Sequence, residues 1–594
     1  MARRPARGPR RAPAAAGRAP PAARAIRRSA PRAPPAGRPR ACRRPAPRAR
    51  SAPPDWGSTV IAASDRGYHR STASVGGPAA HEDADRPSAL PGGGRRTPPD
   101  TLRRVPLGPV PLPPADLRIA DLAGRRVGVW GAGREGAAAI RALAAHAPGS
   151  SVVVASSSAP PDGAAPLPDG PDGRPPRHLH GAEGLAALAA CEVVIRSPGV
   201  PVRGPEADAV RAGGATLTSG TALWLAERGD RETVVGITGT KGKSTTSSLL
   251  HHLLGKAGVR SVLAGNIGRP LLDQLRPSDP PEAWVVELSS YQLADLPRAP
   301  TIAVVTNLMR DHLPWHGDEA TYHADKLRIL TAGDGPRMAV LSYADPGLRS
   351  AAETLPHVPI LWVDHPDGLH VAGGEIREGA RVLCPIDALP LRGVTGARNV
   401  CAALEAVRAL GYEVADLAGA LRDFRPLPHR QQVVAAADGR TWVDDSISTT
   451  PEAALSAVAA FGPGPLVLIA GGDDRRQRYD ALARALATGR VPTGAVGEPL
   501  AEVRIAGVVT LPGTGPALAE AVADAAREAG RTLPVRQVDG DEPGAVMVAA
   551  VAAARELAPA GATVLLSPAA PSHNLFRDFE DRGDRFAAAV AGLG

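Results

Sequence analysis

From Leu117 onward, short runs of aliphatic and β-branched residues recur, each closed by small or polar residues and followed by a longer stretch with apolar positions at helical spacing. Unbroken apolar runs fit strands buried on both faces, and the amphipathic stretches fit the helices that cover them. Arg125 to Trp130 (RRVGVW) is one such strand, with AAAIRALAAHA behind it as a helix. Val234 to Thr238 (VVGIT) is a second, followed by TSSLLHHLLGKAG. AWVVELSSYQL and TIAVVTN read as further buried strands, and YHADKLRI as a helical segment. Strands at Met338 to Ser342 and Ile360 to Val363 continue the alternation, which resumes around LVLIAGGDD in the last third. This predicts an α/β protein whose sheets are mostly parallel with helices on their faces. Residues 1–116 break the pattern. They are rich in Pro, Ala, Arg and Gly without strand or helix period, which predicts a disordered extension.

Length and charge sharpen this division. A chain of 594 residues suggests three or four domains. Its net charge of +9, less the 16 arginines among the first 50 residues, leaves −7 for the rest. The basic character therefore belongs to the extension, and the body offers no footprint for nucleic acid. The Arg-rich, acid-poor start resembles a transit peptide but lacks its amphipathic pattern. It reads as an upstream extension, translated from an early start, that does no chemistry. Cys42, Cys191, Cys384 and Cys401 are widely spaced without a CxxC, which suggests reduced thiols in a cytoplasmic protein. No apolar run approaches the roughly 20 residues of a membrane span, so a soluble protein with no membrane partner is expected.

The chemistry concentrates behind the second strand. Gly239, Thr240, Lys241, Gly242, Lys243, Ser244 and Thr245 lie between VVGIT and a helix. A glycine-rich turn there points backbone N–H groups and a helix N-terminus at phosphate, Lys243 neutralises phosphate oxygens, and the Ser244 hydroxyl suits magnesium. The ligand expected is ATP. The spacing is one residue short of the general phosphate-loop pattern, because Ile237 stands where its first glycine would be. A second glycine loop, Gly131, Gly133 and Gly136 in GAGREG, also joins a strand to a helix. A diphosphate or a nicotinamide cofactor would fit it, but the acidic ribose partner of the latter is missing from SVVVASSSAP. Glu287 closes a predicted strand and is a candidate metal ligand; Asp311, His312 and His316 follow the next strand, which ends at Asn307. Gly265, Asn266, Ile267 and Gly268 form a turn of small residues where backbone can approach a phosphate or sugar.

Taken in order, GTKGKST, ELSSYQL, YHADKLRI, the GARN segment at Gly396 to Asn399, WVDDSISTTPEA and SPAAPS with FRDFEDRG resemble the Mur ligase family, ATP-dependent enzymes that build the peptide stem of peptidoglycan. The resemblance runs from about Leu117 to Gly594. It implies a UDP-substrate-binding Rossmann-like domain over 117–229, a central ATP-binding domain of P-loop type over 230–397, and a C-terminal glutamate-binding Rossmann-like domain over 398–594. Arg228 to Glu232 would be the first linker, and a hinge would lie near Arg398. The implied partners are UDP-N-acetylmuramoyl-L-alanine and glutamate, with ATP, two magnesium ions and a carbamylated lysine, in a monomer.

Residue by residue, the resemblance implies catalytic roles for Lys243, Glu287, His312 and Lys326, with Ser244, Glu287, His312 and the Lys326 carbamate as magnesium ligands. Asn399, Arg430 and Asp445 would join the phosphate loop in holding ATP. Gly131, Gly133, Gly136, Ser197, Asn266, Gln292 and His312 would hold the UDP substrate, and Thr449, Arg475, Ser572 and Phe579 the glutamate. Four positions depart from the family pattern around adenine and glutamate. Arg398 and Ala402 replace a His and an Asn in Gly-x-His-Asn-x-x-Asn. Ile447 and Arg475 stand where D-glutamate enzymes have lysines, and guanidinium and ammonium grip carboxylates differently. With TSGTALW and WGAGREG, these changes favour the branch that adds L-glutamate; D-glutamate is the alternative. Outside the ligases, a nicotinamide dehydrogenase would explain GAGREG but not the phosphate loop. A non-catalytic relative would not need Lys243, Glu287, His312 and Lys326 together.

Overall fold

The computed structural model describes residues 117–594 apart from 160–164, 229–231, 356, 475–476, 493–499 and 594. The predicted extension over 1–116 and the glutamate-site candidate Arg475 lie outside the described residues. The first sheet comprises β1 (Arg126–Trp130), β2 (Ser151–Ser156), β3 (Arg177–His180), β4 (Val193–Arg196) and β5 (Thr216–Ser219). All are parallel, in the order β3-β2-β1-β4-β5. The order reverses at β1, so the loops after β1 and β4 open onto the crevice where such sheets take ligands.

The central sheet has nine strands: β6 (Val234–Thr238), β7 (Ser261–Gly265), β8 (Ala283–Glu287), β9 (Ile302–Val305), β10 (Met338–Ser342), β11 (Ile360–Val363), β12 (Leu369–Ala372), β13 (Glu375–Glu378) and β14 (Arg381–Pro385). Their order is β14-β13-β12-β11-β10-β9-β6-β8-β7, parallel except for the edge formed by β12 to β14. β6 lies between β8 and β9, with Ile237 opposite Glu287 and Thr238 opposite Val305. The phosphate-loop sequence, Glu287 and Asn307 therefore emerge side by side. The last sheet is built from β15 (Gln432–Ala437), β16 (Arg440–Asp444), β17 (Pro465–Ala470), β20 (Arg504–Thr510), β21 (Val535–Gln537) and β22 (Thr563–Leu566), with the short pair β18 (Arg490–Val491) and β19 (Ala501–Glu502) apart from it.

Two predicted boundaries need correction. The break at 397/398 cuts the helix Gly393–Ala409, whose Val400, Cys401, Ala403, Leu404, Ala406 and Val407 are buried in the same core as Val235 and Ile237. Leu417, Leu421 and Phe424 continue that core, and the last sheet begins only at Gln432. The helix is apolar over so wide an arc that sequence offers no surface at which to place the boundary. The linker read from Arg228 also starts too early. Arg228 ends the helix Gly220–Arg228, is 5% exposed, and packs its guanidinium over Trp224 and Trp284 at 4.6 and 4.7 Å. Cation–π contact with both rings and a hydrogen bond to the Gln274 carbonyl keep that end of the helix fixed.

Paired charges tie the first domain to the central one. Arg196 donates to both oxygens of Asp295, each at 2.7 Å, and both side chains are almost fully buried. Arg196 also reaches the carbonyls of Pro198 and Val200. Removing one partner of such a pair leaves an unmatched buried charge, at a cost of about 3–5 kcal/mol. Asp295→Asn should accordingly lower the midpoint of urea unfolding clearly, and an unchanged midpoint would show that the pair is not holding the domains.

Candidate functional site

The loop after β6 is shaped by close backbone approach. Gly239 has φ +146, and a Cβ there would lie 1.9 Å from Thr306 Oγ1. Gly242, at φ +86, caps the helix Lys243–Lys256, and a Cβ there would lie 2.2 Å from Asn399 Oδ1. Neither position tolerates a side chain. Lys243 opens the helix and folds back, so that Nζ donates to the carbonyls of Gly239 and Thr240 at 2.9 and 3.0 Å. Lys326, 1% exposed on the helix Glu319–Thr331, donates from its Nζ to the same Gly239 oxygen at 2.8 Å.

Two amines on one carbonyl inside the protein cannot both carry full charge cheaply. Burial brings Lys243 down to about 8, against the opposing pull of Glu287. Burial, reinforced by Lys243, holds Lys326 well below the ordinary lysine range. His312 stands at φ +52 with Nδ1 2.9 Å from the Tyr291 hydroxyl, and burial lowers its pKa, keeping the imidazole neutral. Glu287 is 1% exposed; one carboxylate oxygen accepts from Asn266 Nδ2 at 2.7 Å, and the other, Oε2, has no hydrogen-bond partner. A buried carboxylate oxygen without a donor is costly unless a cation faces it. Among the described residues no three His, Cys, Asp or Glu side chains are placed so that together they could hold a metal ion. Glu287 and neutral His312 with the Ser244 hydroxyl fit a hard cation only if a further oxygen donor joins them.

On the other side of the loop lies a cavity of about 560 Å³ lined by Lys241, Gly242, Thr245, Asn307, Asn399, Arg430 and Asp445, among others. It is bounded by the central domain and by the last one. Lys241 Nζ spans the two, 3.5 Å from Asp311 and 3.1 Å from the Thr450 hydroxyl. Asp445 accepts from Ser567 Oγ at 2.7 Å and from the Gln431 N–H at 3.2 Å, and burial raises its acid to about 6. Arg398, at the position of the usual His, also lines the cavity and pairs with Asp364 at 2.8 Å. Ala402 is buried in the core instead.

The other candidates divide. Gly131, Gly136 and Ser197 come together at the crevice of the first sheet: a Cβ on Gly131 would lie 2.6 Å from Ser197 Oγ, and one on Gly136 would lie 1.9 Å from the Gly131 carbonyl. Gly133 caps the helix Arg134–His146 beside them. Asn266 sits with Glu287, to which its amide donates. Gln292 is 2% exposed, and its carbonyl oxygen is engaged by the N–H and hydroxyl of Ser289 in a capping box. In the last domain the Phe579 carbonyl accepts from Ser446 Oγ at 2.8 Å and the Thr449 carbonyl from Gln477 Nε2 at 3.1 Å, while Ser572 is buried. Arg582, fully buried, was missed by sequence reasoning. It donates to Ser446 Oγ and O and to the Ala570 carbonyl, binding the Thr449 and Ser572 segments together.

Residues 237–364 match the Mur ligase middle domain. A protein from Xanthomonas campestris pv. campestris named UDP-N-acetylmuramoyl-L-alanine--L-glutamate ligase is 40% identical over 495 residues, covering 80% of this chain and 100% of its own. A Micromonospora protein of the same name is 44% identical over 486 residues, covering 80% of this chain and 98% of its own. Among solved structures, a MurF ligase from Thermotoga maritima in complex with ADP aligns at 17% identity with a TM-score of 0.47, over 81% of this chain and 99% of that one. No helix of the described residues is long and apolar enough to cross a membrane.

Proposed function

The chain belongs to the Mur ligase family of ATP-dependent ligases, and from that premise we propose that it joins glutamate, L-glutamate in preference to D-glutamate, to UDP-N-acetylmuramoyl-L-alanine. The observation that carries the reading is the convergence on the Gly239 loop. Lys243 and Lys326 share its carbonyl, Glu287 and His312 stand beside it, and a nucleotide-sized cavity opens between it and Arg430 and Asp445. The names of the two relatives support the L-glutamate assignment. So does Ile447 in place of the lysine that would meet D-glutamate.

An amide does not form from a carboxylate in water without activation. In this scheme the alanine carboxylate attacks the γ-phosphorus of ATP, giving an acyl phosphate and ADP. The glutamate amine then attacks the acyl carbon, loses a proton and expels phosphate. Lys243, held in place by two carbonyls before substrate arrives, stabilises charge on the phosphoryl oxygens. Arg430 and Asp445 hold ATP from the far wall, with Asn399 at the loop. Gly131, Gly133, Gly136 and Ser197 hold the diphosphate of the UDP substrate; Thr449, Ser572, Arg475 and the Phe579 backbone hold glutamate.

Lys326 completes the donor set near Glu287. The neutral form of a lysine, which burial favours here, is the one that attacks carbon dioxide, and the carbamate so formed, after loss of a proton, is the further oxygen donor the cluster requires. Ser244, Glu287, His312 and that carbamate would hold magnesium, which neutralises phosphate charge when bound. The orphaned Glu287 Oε2 fits such an ion.

The test is phosphate release by the purified full chain with ATP, magnesium and UDP-N-acetylmuramoyl-L-alanine, given L- or D-glutamate in parallel. Turnover with L-glutamate at least about a hundredfold above that with D-glutamate is expected, since a misplaced carboxylate leaves buried donors unpaired. Preference for D-glutamate would reverse the assignment, and silence with both would remove this acceptor altogether.

A further inference from the structure

Asp325, His316 and Ser290 form a hydrogen-bonded chain for which the reaction scheme has no use. His316 Nδ1 lies 2.7 Å from Asp325 Oδ2, and His316 Nε2 lies 3.0 Å from Ser290 Oγ. These are the parts, in order, of a nucleophilic triad. Burial takes them out of that class: Ser290, His316 and Asp325 are 3, 5 and 1% exposed, so no acyl group reaches the hydroxyl. The aspartate is also already matched. Arg203, from the loop after β4, donates to its two oxygens at 2.8 and 2.6 Å.

What the chain connects gives it a use. Arg203 lies six residues beyond Ser197, on the loop that closes the crevice of the first sheet. Asp325 immediately precedes Lys326 on the helix Glu319–Thr331. Ser290 lies three residues beyond Glu287 and opens the short helix Ser290–Leu293. Neighbouring side chains on a helix differ by about 100° around its axis, so gripping Asp325 fixes the rotation that aims Lys326 at Gly239. With Arg203 donating to both its oxygens, Asp325 accepts from His316 Nδ1, which leaves Nε2 to accept from the Ser290 hydroxyl. Each link then has one donor and one acceptor, and none can shift alone.

We propose that Arg203 is a positioning residue. Through Asp325, His316 and Ser290 it sets the helix that carries Lys326 and the turn behind Glu287, so that docking of the nucleotide-sugar domain aims the phosphoryl-transfer site. The proposal rests on the assignment of Lys326 and Glu287 to that site.

Arg203→Ala and Arg203→Lys in the full chain test it. Groups that orient the ligands of a metal site typically alter activity by about 10- to 100-fold. For Arg203→Ala the expected result is therefore a kcat at least about tenfold lower, with KM for ATP and glutamate within about twofold of the unaltered protein. Arg203→Lys should recover only part of the loss, because one ammonium cannot grip both oxygens. A readout independent of turnover is the 13C resonance formed when the protein is equilibrated with 13C-bicarbonate and removed by Lys326→Ala. Arg203→Ala should need severalfold more bicarbonate to half-saturate it. An unchanged kcat, or a change confined to KM for the UDP substrate, would overturn the proposal. If the unaltered protein shows no such resonance, the carbamate assignment fails, and the kcat comparison still decides the role of Arg203.

Discussion

Lys243→Ala should leave no measurable ATP-dependent ligation, a loss on the order of a thousandfold or more, at the upper end of what removing one preorganised electrostatic donor costs. The reason lies in how the lysine is held. Its amine is bound to the Gly239 and Thr240 carbonyls at 2.9 and 3.0 Å, inside a loop whose glycines admit no other shape. Alanine removes the cation and also leaves those carbonyl dipoles facing the phosphates. Burial has already brought the amine down to about 8, so an arriving polyphosphate stabilises the protonated form, and that gain is lost with the side chain. Phosphate release measured with saturating substrates is the check, with the unfolding midpoint confirming a folded variant. Turnover within about tenfold of the unaltered protein would place ATP elsewhere.

The parts of this site that were legible in the sequence are those built by contiguous residues. VVGIT followed by GTKGKST specifies strand, turn and helix together, because an apolar run, obligatory glycines and a helical period follow without interruption. Glu287 was legible for a related reason: it is the polar residue that ends an otherwise buried strand. What was not legible depends on the third dimension. Arg203 and Asp325 are 122 residues apart and Arg196 and Asp295 are 99 apart, so no periodicity links them. Gln292 also completes a local cap, three residues from Ser289, a contact that its assignment to the UDP substrate does not imply. The boundary at 398 failed because the helix across it is buried on the face that packs against the phosphate-loop helix, and packing, not family position, decides where the domain ends. Arg582 was not singled out because nothing in the charged string FRDFEDRG distinguishes the arginine that the fold buries from the one it leaves exposed.

Lys326→Ala should lower turnover by about a hundredfold or more, in line with losing an oxygen donor from a hard-cation site, and a small carboxylic acid such as acetate or propionate should restore part of it. The two halves of the prediction have separate physical grounds. The lysine is enclosed at 1% exposure, and first burial and then Lys243 hold its amine well below the ordinary range, which favours the neutral form that attacks carbon dioxide. Truncation to alanine vacates the length of the side chain from its helix to the Gly239 carbonyl, beside a Glu287 oxygen that has no donor of its own. A free carboxylate entering that space brings the charge and oxygen geometry of the carbamate without the covalent tether. Rescue should therefore saturate with acid concentration, fail with chloride, and leave the unaltered protein unaffected. Depleting carbon dioxide should have the opposite pattern, slowing the unaltered protein and leaving the rescued variant indifferent. Full activity of Lys326→Ala would show that the lysine only neutralises the loop; a dead variant that no acid restores would show that the amine, and not a carboxylate made from it, is what the site requires.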